Sequence, residues 1–340
     1  MAGSRLTTWH IVTGEYPPQP GGVADYTAQL AEALRVAGQP VRVWCHEFGG
    51  FTPAGLARVG RELDSCPAPR RILLQWVPHS YGRNSMNVNF CRWLAARPEP
   101  LEIMVHEPGL GFGEGGLRHS AVAAVHRLMT IILLRRAERV WISIPAWEAR
   151  LRPYALGRKI PFTWLPVPSN IPVSTTYAPR VHPLGYFGQY DDSTREVLHQ
   201  VLDQLDSPVL LLGRQSHRVT HKNAQAAGEL SPAALSQAIQ SCETIFHLYP
   251  DGVSTRRGTV MASLAHGMAI VTNTGKFTEP LWRESGAVEL GSDATGITLQ
   301  LKRLIADQAL RGRLQTKALN LYNERFAISK TIQSLIGTAR

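Results

Sequence analysis

Short apolar runs alternate with stretches of helical period along most of the 340 residues, the order expected of parallel α/β layers. Thr8-Trp-His-Ile-Val-Thr13 reads as the first strand. After a Pro/Gly loop, a helix is expected from about Ala24 to Ala37, with Leu30, Ala33, Leu34 and Ala37 on one face and Gly38 as its stop. Strands at Val41–Cys45, Arg71–Val77, Leu101–His106 and Arg139–Ser143 continue the series, with a long helix near Ala121–Arg136 between the last two. The Leu128/Ile131/Ile132 stripe of that helix is flanked by arginines and is expected to pack on the sheet rather than touch a membrane. Residues 165–183 hold five prolines and no regular period, which marks a linker. A second series opens at Leu184–Gly188 and runs through a helix near Thr194–Leu205 and a strand at Val209–Leu212. It continues with helix Pro232–Ser241, strand Thr244–Leu248, a helix after Gly258 and strand Ala269–Thr272. Late helices cover about 294–306 and 307–323, and a last one begins near Ile328. The expectation is two doubly wound parallel-sheet domains facing across a cleft, with ligands at the carboxyl ends of the strands.

Composition narrows the class. A hydrophobic share of 44% and a charged share of 18% describe a globular chain with a large core. The four cysteines (Cys45, Cys66, Cys91, Cys242) are scattered, with no C-x-x-C pair, which argues against structural zinc and suits a reducing cytosol. The opening residues lack a signal-peptide core, and the apolar run Leu128 to Leu134 is far shorter than the roughly 20 residues that span a bilayer. The expected location is therefore cytoplasmic, with the inner membrane face as a possible docking place. Net charge is +10, of which +7 falls in residues 1–170 and +3 in the rest. A basic first half suits an anionic membrane surface or acceptor, and equally a solvated basic surface. No helix–turn–helix, RNA-recognition or zinc-finger pattern accompanies the charge, so nucleic acid is not an expected partner.

The candidate chemistry lies in two loops. The first, Glu15-Tyr-Pro-Pro-Gln-Pro-Gly-Gly-Val-Ala-Asp-Tyr26, joins strand to helix, and Gly21 and Gly22 let backbone approach a ligand at a helix N-terminus. The same glycines also suit a plain tight turn. The second, Asp251-Gly-Val-Ser-Thr-Arg-Arg-Gly-Thr259, leads into a small-residue helix that stops at Gly267. It presents two guanidiniums, Arg256 and Arg257, beside the free amides of a helix start, a combination that fits a diphosphate. Gly258 and Thr259 supply amides, while Ser254, Thr255 and Thr259 offer hydroxyls to phosphate or sugar. Arg214, just after Val209–Leu212, is a secondary candidate for the same anion. The alternative is that both arginines cap carbonyls or pair with Asp251.

The segment Tyr16 to Gly38, Val105-His106-Glu107, Leu165-Pro-Val-Pro-Ser-Asn170 and Asp251 to Gly267 together resemble the family 4 retaining glycosyltransferases. The resemblance covers nearly the whole chain and implies the GT-B architecture of two Rossmann-like domains. It implies residues 1–170 as an acceptor-side domain, 171–183 as linker and 184–325 as a nucleotide-sugar domain. Residues 326–340 would then form a helix crossing back to the first domain. It places Gly21 and Gly22 beside the donor diphosphate and His106 near the donor sugar's hydroxyls. Domain closure would bring these against the Arg256/Arg257 loop. The implied reaction transfers a sugar from a nucleoside-diphosphate sugar to a saccharide or lipid-linked hydroxyl with retention. No metal is indicated, because no Asp-x-Asp motif occurs.

The second domain departs from the family pattern. Where the family carries an Arg and then a Lys after its Gly185–Gly188 strand, this chain has Gln189, and the next basic residue is Arg195. Of the family's two glutamates eight positions apart, Asp251 stands in for the first only in a longer loop, and Ala262 occupies the ribose position. These losses direct attention to Arg256 and Arg257. They also keep open a non-catalytic partner of the same fold that binds a nucleotide or a protein. A third reading keeps the fold for nucleotide-sugar epimerisation or phosphorolysis.

Overall fold

The computed structural model describes residues 6–338 except 47–49, 83–84, 113–114 and 177. The chain divides into two compact units, residues 1–166 with 331–340, and residues 167–330. Tyr177 of the proline-rich segment and the first five residues lie outside the described part.

The first unit is a six-stranded parallel sheet of β1 (Thr8–Val12), β2 (Val41–Trp44), β3 (Arg70–Trp76), β4 (Leu101–Val105), β5 (Arg139–Ile142) and β6 (Phe162–Trp164). The strand order is β2-β1-β3-β4-β5-β6, with the reversal between β1 and β3 expected of a doubly wound fold. Its helices are α1 (Gly22–Val36), α2 (Pro53–Asp64), α3 (Val88–Ala96), α4 (Leu117–Arg136) and α5 (Ala146–Leu151). Strands β1 and β4 are buried at every position, as required when helices cover both faces of a parallel sheet. Trp9, Ile11, Ile72, Leu74, Ile103, Val105 and Val140 form the centre of that core.

The second unit repeats the plan. Its strands are β7 (His182–Phe187), β8 (Val209–Leu212), β9 (Ala224–Ala226), β10 (Cys242–His247), β11 (Ala269–Asn273) and β12 (Glu289–Gly291). The helices are α6 (Asp192–Asp203), α7 (Pro232–Gln240), α8 (Gly258–Ala265), α9 (Leu281–Glu284), α10 (Ala294–Ala306) and α11 (Gln308–Leu321); α12 (Ile328–Thr338) begins at the end of this unit and from Thr331 belongs to the first. The order β12-β11-β10-β7-β8-β9 is again all parallel. Leu184, Tyr186, Phe246, Val271, Ile297 and Leu301 lie in one buried cluster. Helix starts follow side-chain capping: Asp191 accepts from the Thr194 amide, Ser231 from Ala234 and Asp293 from Gly296.

Helix α4 differs from expectation. It begins one turn earlier, at Leu117, and at 20 residues it is long and apolar enough by length and composition to cross a membrane. The apolar run alone hid this because Arg127 ends it on the N-terminal side, with Arg118 and His119 further upstream. The face that packs inward is Ala123, His126, Met129, Thr130, Leu133 and Leu134, not the expected Leu128/Ile131/Ile132 stripe, of which Leu128 is exposed and both isoleucines are only half-buried. Leu117 and Leu128 stand exposed on another.

Candidate active site

In the first unit the loop after β1 turns into α1 through Gly21 and Gly22. Gly21 is the N-cap and no side chain caps it. A Cβ at Gly21 would press on the Glu15 carboxylate at 2.6 Å, whereas one at Gly22 would meet nothing within 4 Å. The space before Gly22 is thus open to a ligand. One turn on, Tyr26 packs edge-on against the His106 ring, with centroids 5.1 Å apart.

His106 follows β4 directly and is held on several sides. Its amide donates to the Trp76 carbonyl at 3.1 Å, and its carbonyl accepts from Trp147 Nε1 at 3.0 Å. The ring Nε2 lies 2.8 Å from Gln75 Oε1, so with that oxygen accepting, Nε2 carries the proton and Nδ1 is left as the ring's acceptor. Burial lowers the His106 pKa to about 4, so the ring is neutral at pH 7. The neighbouring Glu107 is exposed and pairs at 3.7 Å with His79.

In the second unit the loop after β10 carries most of the residues singled out in the sequence. Gly252 adopts φ +79°, and its amide donates to the Tyr249 carbonyl at 3.0 Å. The loop is stitched to the one after β11: Val253 N–H donates to the Asn273 carbonyl at 2.9 Å, and Phe277 N–H to the Asp251 carbonyl at 3.1 Å. Asn273 also clasps the Tyr249 backbone, accepting from its amide at 2.8 Å and donating to its carbonyl at 2.7 Å. Beneath the arginines, buried Glu279 accepts from the Thr255 amide at 3.0 Å, its hydroxyl at 2.6 Å and Trp282 Nε1 at 2.8 Å. A carboxylate with three donors fixes the stretch immediately before Arg256.

Asp251 is the meeting point of the cations. Arg256 reaches it at 3.2 Å, Arg257 at 3.9 Å and Lys276, from the β11 loop, at 2.9 Å. The arginine side chains are 16% and 17% exposed, so neither is turned out into solvent. Both also lie over aromatic rings, Arg257 over Tyr249 at 4.9 Å and Arg256 over Phe277 at 5.5 Å. The pairing with Asp251, one of the alternatives the sequence left open, is therefore present. It gathers the guanidiniums at the carboxyl ends of β10 and β11, beside the start of α8. Ser254 and Thr255 are fully buried, with the Thr255 hydroxyl taken by Glu279, while the Thr259 hydroxyl lies 2.7 Å from Tyr249 Oη.

Two further basic candidates pair with other acids. Arg195 pairs with Asp192 in the first turn of α6, and Asp191 caps that helix. Two aspartates thus stand at the start of α6. Arg214 pairs with exposed Glu229 at 3.2 Å. Sequence reasoning missed Lys276, Glu279, Asn273 and His247. His247 is buried between Phe187 O at 2.6 Å from Nδ1 and Ser263 Oγ at 3.0 Å from Nε2, tying β10 to β7 and α8. The only sequence signal for the first three was the Gly275-Lys276 turn after an apolar strand.

The buried histidines predict an acid sensitivity. Burial lowers His10, His106 and His247 to about 4, below the unfolded value of 6.5. The unfolded chain therefore binds protons that the native one refuses between these values. Stability is full above pH 6.5 and falls as pH drops towards 4, by about 1.4 kcal/mol per histidine per pH unit. Thermal melts at pH 7 and pH 5 should show a lower midpoint at pH 5; equal midpoints would refute the assignment.

No protein-family model and no curated protein matches the chain. Solved structures do match along nearly its full length. Sucrose-phosphate synthase from Thermosynechococcus elongatus is 14% identical with a TM-score of 0.70 over 98% of both chains. HepE of Anabaena in complex with UDP and glucose is 12% identical with a TM-score of 0.64, over 98% of this chain and 99% of that one. WaaG, a glycosyltransferase involved in lipopolysaccharide biosynthesis, is 11% identical with a TM-score of 0.61, over 96% and 99%. The chain has the α/β two-sheet fold of the GT-B glycosyltransferases.

Proposed function

We propose that the chain is a glycosyltransferase that moves a sugar from a nucleoside-diphosphate donor to a hydroxyl acceptor with retention, in polysaccharide, glycolipid or glycoconjugate synthesis. The observation that carries this reading is the convergence of Arg256, Arg257 and Lys276 at the strand ends of a fold shared with a UDP-bound protein. As the bond from sugar C1 to the phosphate oxygen breaks, negative charge grows on the departing diphosphate, and fixed cations hold it more tightly than in the ground state. The acceptor hydroxyl attacks from the same face and gives its proton to a phosphate oxygen. The cationic loop supplies the charge neutralisation that a metal provides elsewhere. In the first unit the neutral His106 ring, held by Gln75, keeps Nδ1 as an acceptor suited to a sugar hydroxyl.

A panel of nucleotide sugars, with release of nucleoside diphosphate as readout, tests the reading. Turnover of at least one donor is expected. Nucleotide binding without turnover would favour a non-catalytic partner of the same fold, a reading motivated by Gln189, Ala262 and the pairing of Arg195 with Asp192. Absence of both binding and turnover at millimolar donor would refute the transferase and the nucleotide-binding partner, leaving a protein-binding one.

The acceptor side of the proposal is a saccharide or a lipid-linked saccharide at the inner membrane face. Its support is helix α4, where exposed Leu117 and Leu128 share the helix with Arg118, Arg127, Arg135 and Arg136 and with no acidic residue. Flotation with phosphatidylglycerol vesicles should carry the wild-type protein, and Leu117→Glu with Leu128→Glu should abolish it. Equal flotation of both proteins, or of neither, removes the membrane contact.

A further inference from the structure

We infer that Lys276 is a third ligand of the diphosphate, and that Asp251 is the internal counter-ion the diphosphate must displace. The inference rests on the function proposed above and names a residue and a competitor within the same site.

Lys276 is placed by backbone. Gly275 crosses Gly252 so closely that a Cβ on Gly252 would lie 2.1 Å from the Gly275 nitrogen. On the other side, the Phe277 amide donates to the Asp251 carbonyl at 3.1 Å. The turn closes on itself, with the Gly275 amide donating to Thr278 Oγ1 at 2.9 Å and the Thr278 amide to the Gly275 carbonyl at 3.1 Å. The residue between these anchors has its root fixed beside Asp251, and its ammonium reaches the Oδ1 oxygen while Arg256 and Arg257 face Oδ2.

The addition of Lys276 to the two arginines on this carboxylate is not explained by stability. The Lys276 side chain is 63% exposed, and exposed ion pairs contribute little. Like charges gathered around one acid repel each other and are tolerated where a further anion is to be bound. The Asp251 carboxylate is itself 27% exposed, so a phosphate oxygen can take over its contacts without opening the core. Asp251 thus keeps the three cations aimed while the site is empty and competes with the ligand for them. Lys276 also answers the loss noted in the sequence: the cation absent at Gln189, after β7, is supplied from the end of β11, with β10 between the two strands.

Titration of full-length protein with inorganic pyrophosphate and with UDP tests this, using Lys276→Gln and Asp251→Asn. Lys276→Gln should weaken both ligands about tenfold, the loss of one charge-assisted contact. Asp251→Asn should tighten pyrophosphate by a similar factor, because the internal competitor is gone. A merely structural pair would move the two variants in the same direction. The inference falls if the wild type binds UDP and Lys276→Gln binds equally well, or if folded Asp251→Asn binds pyrophosphate no tighter than wild type. If the wild type binds neither ligand, the proposed function fails with it. Melting curves establish that each variant is folded; should Asp251→Asn not fold, Lys276→Gln decides alone.

Discussion

Replacing Arg256 and Arg257 together by glutamine is expected to reduce UDP affinity and donor turnover by on the order of a thousandfold while leaving the fold intact. Each guanidinium removed costs one or more charge-assisted hydrogen bonds, about 1.5–3 kcal/mol apiece, or ten- to a hundredfold. The loss in turnover should exceed the loss in affinity, since charge on the diphosphate grows as the sugar leaves. Stability should change little. Asp251 retains Lys276 as partner, and Glu279 still anchors the Thr255 backbone. Arg→Lys at the same positions keeps the charge but loses the planar fork, so it should recover only part of the activity. If the double glutamine variant turns over donor at the wild-type rate, the arginines are structural partners of Asp251 and nothing more.

The second large effect belongs to a residue with no side chain. A Cβ at Gly275 would lie 2.4 Å from the Asp251 carbonyl carbon and 2.5 Å from both the Asp251 oxygen and the Gly252 nitrogen. These are backbone atoms, so no rotamer change can relieve the clash. Gly275→Ala should force the two strand-end loops apart, cost about 1–3 kcal/mol of stability, and lower UDP affinity together with Lys276→Gln. Gly22→Ala makes the contrast. Its Cβ would stand in open space at the first position of α1, so stability should hold within about 0.5 kcal/mol. Melting midpoints and UDP titrations of the two variants check both expectations. A Gly275→Ala protein as stable as wild type would mean the loops separate freely, and the site would not be preorganised.

What the sequence disclosed and what it hid follow from the range of the forces involved. The long strands were legible because burial on both faces writes them as apolar runs, and α1, α10 and α11 because their stripes and stops are local. Strands β6, β9 and β12 have three residues each, too short to show a period. Helix α2 does carry a start signal, Thr52 capping the Gly55 amide with Pro53 behind it. Gly55 and Gly60 dilute its helical character.

In the site, Asp251 to Thr259 was readable because glycines, arginines and hydroxyls fall in one contiguous loop. Lys276 and Glu279 were not, since they arrive only when β11 pairs beside β10, 24 residues further on for Thr255 and Glu279. In sequence Arg214 stood only as a secondary candidate and Arg195 as the next basic residue after Gln189. Their partners, Asp192 and Glu229, distinguish them only once the chain is folded.

Hydrogen exchange in the presence and absence of saturating UDP tests the central claim most directly. The account predicts slowed exchange at the amides of residues 251–260 and 274–278. Exchange unchanged across both segments, with protection confined to other parts of the chain, would contradict it.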